Sequence, residues 1–257
     1  MGAWVVHLGL SMKRMAVTAR EAVRHVLFTT GAYSALTWLR AKRGGTSAHL
    51  QGADAKSRFQ AIYDTGVWRH GDYATPGSGL GSSLSATSAL RQIFSSLLDE
   101  LGAQTLLDVG CGDFFWMRHI NISQNYVGID VVEIVIKENK KNFENSRRKF
   151  LSLDAIVDDL PDADVVMCRE ILFHLSFRDI RKLLTNILSK DRSYVIATSD
   201  RQTSFNSDIP TGDFRLLNLE ASPLRFPAPI RVIEDSAITP RRIIGVWDVK
   251  HLKGLEW

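Results

Sequence analysis

The stretch "LLDVGCGDFFWMRHI", residues 106–120, opens as an apolar run, breaks at two glycines and continues into a mixed apolar and basic segment. An apolar run too short for a helix and closed by glycine is the pattern of a strand buried on both faces. Gly110 and Gly112 carry no Cβ, so the backbone there can approach a ligand closely. The helix start that follows offers free N–H groups. The positions where such turns usually carry a third glycine are Phe114 and Phe115. We expect one ring to pack under the sheet and the other to wall the ligand pocket.

Working outward, similar short runs recur at "YVGID" (126–130), "KFLSLD" (149–154), "DVVMC" (164–168) and "SYVIATS" (193–199). Helical periodicity fills the gaps. Leu90, Ile93, Phe94, Leu97, Leu98 and Leu101 form one apolar stripe that Gly102 ends. Ser176 is placed to cap a helix with Asp179 three residues on, and Phe177, Ile180, Leu184 and Ile187 supply its buried face. "IRVIED" (230–235) and "RIIGVWDV" (242–249) read as two closing strands. Strands alternating with helices predict an α/β fold, a doubly wound and mostly parallel sheet covered on both faces.

A chain of 257 residues with 45% hydrophobic and 23% charged side chains is an ordinary globular composition. Its net charge of +4 is unevenly spread. Residues 1–45 hold Lys13, Arg14, Arg20, Arg24, Arg40, Lys42 and Arg43 against Glu21, while the rest of the chain is slightly acidic. A nucleic-acid groove across the main domain is therefore not expected. Residues 1–57 read as a basic arm and linker. The arm suits a targeting segment, a peripheral membrane contact or a loosely packed extension, and its longest weakly polar run, 25–39, is too short and too polar to span a bilayer. The main domain is expected over 58–257. Within it, the long connection 199–229 reads as a lid or substrate-binding insertion, and the segment 59–83, with its "GSGLGS" turn, reads as a lid over the site. Cys111 and Cys168 are expected to be reduced thiols of a cytoplasmic protein, and no spacing for a metal site accompanies them.

In a doubly wound sheet the ligand lies beyond the carboxyl ends of the strands. Those ends carry Asp108 to Asp113, then Asp130, Asp154, and Cys168 with Arg169. Asp130 lies 18 residues after Gly112, at a distance suited to a carboxylate that binds ribose hydroxyls. A dinucleotide needs a glycine where Phe115 stands, and Asp113 would repel its pyrophosphate. S-adenosylmethionine has no phosphate and carries positive sulfonium and ammonium groups, which an acidic pocket suits.

With these motifs in order, the sequence resembles the class I S-adenosylmethionine-dependent methyltransferases over residues 83–200. "LLDVGCGD", "YVGID", "LSLDA" and "DVVMCREILFHL" match the family's successive motifs. The resemblance implies a Rossmann-like seven-stranded sheet of order 3-2-1-4-5-7-6. It also implies a cofactor site of Asp108, Gly110, Cys111, Gly112, Asp113, Asp130, Val131, Asp154, Ala155 and Cys168.

For the acceptor, His174 is the expected base, since it follows the fourth strand and imidazole titrates near neutrality. Arg169 is expected to bind either an acidic substrate group or a carboxylate of the protein. The polar side chains of 199–229, among them Asn206, Asp208, Thr211, Asp213, Arg215 and Asn218, suit a polyhydroxylated acceptor, with Trp68 or Phe214 as a stacking surface. A weaker resemblance, carried by "WxxG" and "TGDFRxLNL", is to bacterial methyltransferases of saccharides. The expected reaction is O-methylation of a saccharide-like or other small polar acceptor.

Overall fold

The computed structural model describes residues 17, 19–43, 47–69 and 74–255. Seven strands form one sheet in the order β3-β2-β1-β4-β5-β7-β6. They are β1 (Thr105–Val109), β2 (Asn125–Asp130), β3 (Arg148–Ser152), β4 (Val165–Cys168), β5 (Tyr194–Asp200), β6 (Arg231–Glu234) and β7 (Arg242–Asp248). The first five run parallel and β7 is antiparallel to both neighbours. The expected class and strand order are those of the structure.

Alternation along each strand sends neighbouring side chains to opposite faces. Leu107, Val109, Val166, Val195 and Ala197 enter one core, where α6 (Phe177–Leu188) lays down Ile180, Leu183, Leu184 and Ile187. Leu106, Val165, Met167, Ile196 and Val246 enter the other, covered by Leu90, Phe94, Leu97 and Leu98 of α4 (Ser88–Glu100) and by Ile136 of α5 (Glu133–Phe143). The α4 stripe is narrower than expected, because Ile93 is exposed. At the start of α6 the Ser176 hydroxyl accepts the Asp179 N–H at 3.1 Å, as its spacing predicted.

Ahead of the sheet lie α1 (19–29), α2 (Ala32–Lys42) and α3 (Ala55–Thr65). The described part of the basic arm is packed. The side chain of Glu21 is fully buried, pairs with Arg24 at 3.2 Å and accepts the Ser207 hydroxyl. The Tyr33 hydroxyl donates to Asp213. Both contacts reach the connection between β5 and β6, which has no regular secondary structure between 201 and 230 yet is largely buried. Its polar side chains satisfy its own backbone, as burial demands. Asn206 pairs with both the N–H and the C=O of Asn218, and the Asn218 amide donates to the Thr203 carbonyl.

The third-glycine position explains itself in the packing. Phe114 has φ 54°, a left-handed conformation that favours glycine. Its ring is 1% exposed and lies 5.1 to 5.3 Å from the rings of Tyr126, Phe143 and Phe150, with the Arg148 guanidinium 4.8 Å above it. The aromatic cluster offsets the backbone cost. Phe115 stacks outward on His119 and Arg118 and does not wall the pocket. Phe114→Ala keeps the strained φ and loses the cluster, so chemical denaturation is expected to show a loss of about 3 kcal/mol. A loss under about 1 kcal/mol would contradict this packing account.

Candidate active site

Beyond the carboxyl ends of the parallel strands lies an open cleft of about 1000 Å³. The turn after β1 contributes Asp108, Gly110, Cys111 and Gly112 to its lining, and β2 contributes Asp130 and Val131. Asp154 and Ala155 enter from β3, and Arg169 and His174 from β4. The strand-end rule thus brings most of the predicted residues together.

Two carboxylates dominate the floor. Asp130 accepts the N–H of Gly112 at 3.1 Å and of Val132 at 3.0 Å, joining the turns that follow β1 and β2. Burial pushes its carboxyl up to about 6, against those hydrogen bonds. Asp108 accepts the Tyr126 hydroxyl at 2.7 Å, and burial pushes it up to about 7. Among the described residues neither makes an ion pair.

The roof comes from the segment ahead of α4. Phe59 and Tyr63, one turn apart on α3, face the cleft beside Trp68 and Ser78. A Cβ on Gly112 would sit 2.8 Å from Cβ of Ser78, so the turn and the roof close on each other only because Gly112 is a glycine. Asp113 makes this closure. It is absent from the cleft wall and instead accepts the Gly77 N–H at 2.7 Å and the Ser78 hydroxyl at 2.6 Å.

Three other expected site residues also lie elsewhere. Cys168 is sealed in the core, where burial pushes its thiol up to about 12. Asn218 is consumed by the loop contacts above. Arg215 is fully buried with its guanidinium 4.7 Å above the Phe177 ring, and it lines neither cavity. The long connection packs these side chains inward instead of presenting them to an acceptor.

A second cavity of about 580 Å³ adjoins the cleft, and Trp68, Ser78, Glu170 and His174 line both. Phe214, Thr239 and Arg242 extend its wall. His174 Nδ1 lies 2.8 Å from the Asp213 carbonyl oxygen, which can only accept, so Nδ1 carries the hydrogen and Nε2 the lone pair. Burial lowers the imidazole to about 4, below the near-neutral value expected from its type, which keeps it neutral and makes it a weaker base than a free imidazole. The Trp68 ring lies 5.0 Å from it. Arg169 donates to the Gly81 carbonyl at 2.9 Å and pairs with Asp235 at 3.4 Å, so its partner is a carboxylate of the protein. Glu170, at φ 58°, pairs with Arg242, whose Nε also reaches Asp200 at 2.9 Å. Phe59 and Tyr63 were not among the residues expected to form the site. The i, i+4 spacing of the two rings was the available signal.

A family model described as a methyltransferase domain matches residues 107–189, the span from β1 through α6. The solved structure of magnesium protoporphyrin IX methyltransferase from Synechocystis PCC 6803 with bound S-adenosylmethionine superposes with a TM-score of 0.55 at 14% identity, over 77% of this chain and 98% of that one. Residues 107–189 thus carry a methyltransferase domain, and the chain shares the fold of that solved structure. The N-methyltransferase NodS from Bradyrhizobium japonicum WM9 gives 0.46 at 12% identity, over 66% of this chain and 98% of that one. Human N-acetylserotonin methyltransferase in complex with S-adenosylmethionine gives 0.45 at 12% identity, over 75% and 55%. No curated protein matches the sequence.

The roof of this methyltransferase hangs on Asp113. Asp113→Ala removes two hydrogen bonds to a charged group, each worth about 1.5 to 3 kcal/mol. Hydrogen exchange at the Gly77 amide is expected to accelerate at least about tenfold, and unchanged protection would show that something else holds the roof.

Proposed function

We propose that the protein transfers the methyl group of S-adenosylmethionine to a hydroxyl of a small polar acceptor, with saccharide-like compounds the leading class. The observation that carries this reading is His174, a neutral imidazole with a fixed tautomer on the wall shared by the two cavities. Bound S-adenosylmethionine supplies a methyl group already activated by its sulfonium. The residues of the chain have to align the acceptor and remove its proton.

The lining suits this cofactor. Asp108, Asp130, Asp154 and Glu170 face the cleft, while Arg169, the one arginine or lysine among its described lining residues, is already paired with Asp235. A cation is welcome there and a pyrophosphate is not. In this reading Asp130 accepts the ribose hydroxyls, and Asp154 with the Ala155 backbone meets the adenine edge. The carboxylate of Asp108 and the turn 110–112 hold the charged methionine end. His174 takes the proton through Nε2 while Asp213 holds Nδ1–H. Trp68 and Phe214 offer ring faces against which the apolar face of a sugar can lie. Arg169 positions Gly81 and the roof.

In this reading Asp108 must be ionised to face a cation, and Asp130 to accept both ribose hydroxyls. Cofactor affinity is therefore expected to fall as pH drops through about 7 to 6, by more than about tenfold between pH 8 and pH 5. Calorimetry across that range reads it, and a flat profile would sink the assignment of these two groups. Asp130→Ala should weaken binding by at least about tenfold.

Labelled methyl transfer into fractionated cell extract identifies the acceptor class, and a glycan or small polyol fraction is expected. Label recovered only in nucleic acid would overturn the reading. With that acceptor, His174→Ala should spare cofactor binding and slow transfer by about 10² to 10⁴. Full activity would remove His174 as the base.

A further inference from the structure

The side chains of α1 and α2 divide between those that face the protein and those left to solvent. On the protein side Glu21 meets Ser207, the His25 ring stacks on Phe205 with centroids 5.4 Å apart, and Tyr33 meets Asp213. The side chains left to solvent include a set of large apolar ones among small and polar residues such as Thr29, Thr30 and Ser34. Val23 is 60% exposed, Val26 58%, Trp38 47% and Leu39 45%. Water-facing valine, leucine and tryptophan at this density on two short consecutive helices call for a partner.

Charge says which one. Arg20, Arg40, Lys42 and Arg43 are exposed on the same helix pair, and Lys42 stands 4.2 Å above the Trp38 ring. Residues 19–43 contain one acidic side chain, Glu21, and it is fully buried. The exposed face of these helices therefore carries only positive charge. A second copy of the chain would meet like charge. A nucleic acid would satisfy the basic side chains and leave the valines and Leu39 in water. An anionic lipid surface satisfies both, with apolar side chains entering the acyl boundary and basic groups at the headgroups. Trp38, an amphipathic ring, suits that boundary.

We infer that α1 and α2 dock the protein on an anionic membrane surface, as a peripheral contact. No helix among the described residues is long and apolar enough to cross a bilayer, so the contact lies on the surface. Basic residues beside an anionic bilayer contribute about a fivefold affinity gain each, and the exposed apolar side chains add to this.

The test is co-sedimentation of the full chain with vesicles. Phosphatidylcholine vesicles containing roughly a third phosphatidylglycerol are compared with vesicles of phosphatidylcholine alone. Binding to the anionic vesicles is expected at physiological salt, at least about tenfold weaker on neutral ones, and reduced by high salt. Arg40→Glu combined with Lys42→Glu should weaken it by at least about tenfold, as should Trp38→Ala combined with Leu39→Ala. Both variants should keep wild-type affinity for S-adenosylmethionine, which shows that they are folded. Equal binding to neutral and anionic vesicles, no vesicle binding, concentration-dependent dimerisation lost in the Trp38 variant, or tighter binding to a single-stranded RNA than to the vesicles would each overturn the proposal. The methyltransferase reading would stand in every one of those cases.

Discussion

Two carboxylates that make no ion pair among the described residues, Asp108 buried and Asp130 half-buried at the ends of neighbouring parallel strands, are the constraint on which the rest of the site depends. Asp108 and Asp130 sit where β1 and β2 release the chain, and their hydrogen bonds come from a tyrosine hydroxyl and backbone N–H groups. Burial holds both carboxyls above the ordinary value of 3.8. Between about pH 4 and 7 the folded protein therefore binds more protons at these two groups than the unfolded chain does. Their contribution to stability falls as pH rises through that window. A ligand bearing positive charge restores what the fold gives up there, which makes the site selective by electrostatics before any shape is considered.

The segments outside the region matched by the methyltransferase family complete that arrangement. The α3 rings and the roof at 77–82 close the cleft from above, and Asp113 ties roof to turn. On the other side, the connection after β5 presents the Asp213 carbonyl that fixes the His174 tautomer. That connection is held by Tyr33 on Asp213, by Arg58 on the Thr211 carbonyl at 2.9 Å and by His49 on the Gly212 carbonyl at 2.9 Å. The imidazole is oriented by a strap that the amino-terminal helices fasten.

Much of this was legible in the sequence where a short-range rule governs. Fully buried strands read as apolar runs, and acidic residues at their ends read as a ligand site, so the strands and the cleft floor followed, while the sheet order came with the family resemblance. The rest depended on contacts distant in sequence. Asn218 and Asn206 look like acceptor-binding side chains until the loop carrying them is seen to be buried, at which point their amides are needed by the backbone. Arg215 differs from an exposed arginine only through the 0% exposure its neighbours impose. Phe114 occupies a glycine conformation that three other rings make tolerable, and no local pattern announces it. The packing of Glu21 and Tyr33 joins residues 186 and 180 positions from their partners, a separation beyond any periodicity.

The central claim, that the acidic cleft receives a positively charged nucleoside and not a pyrophosphate, is tested most directly by calorimetry of the purified protein with S-adenosylmethionine and, separately, with NAD at pH 8. One S-adenosylmethionine bound per chain and no heat from NAD is the predicted result. Binding of NAD in the absence of S-adenosylmethionine binding would contradict it.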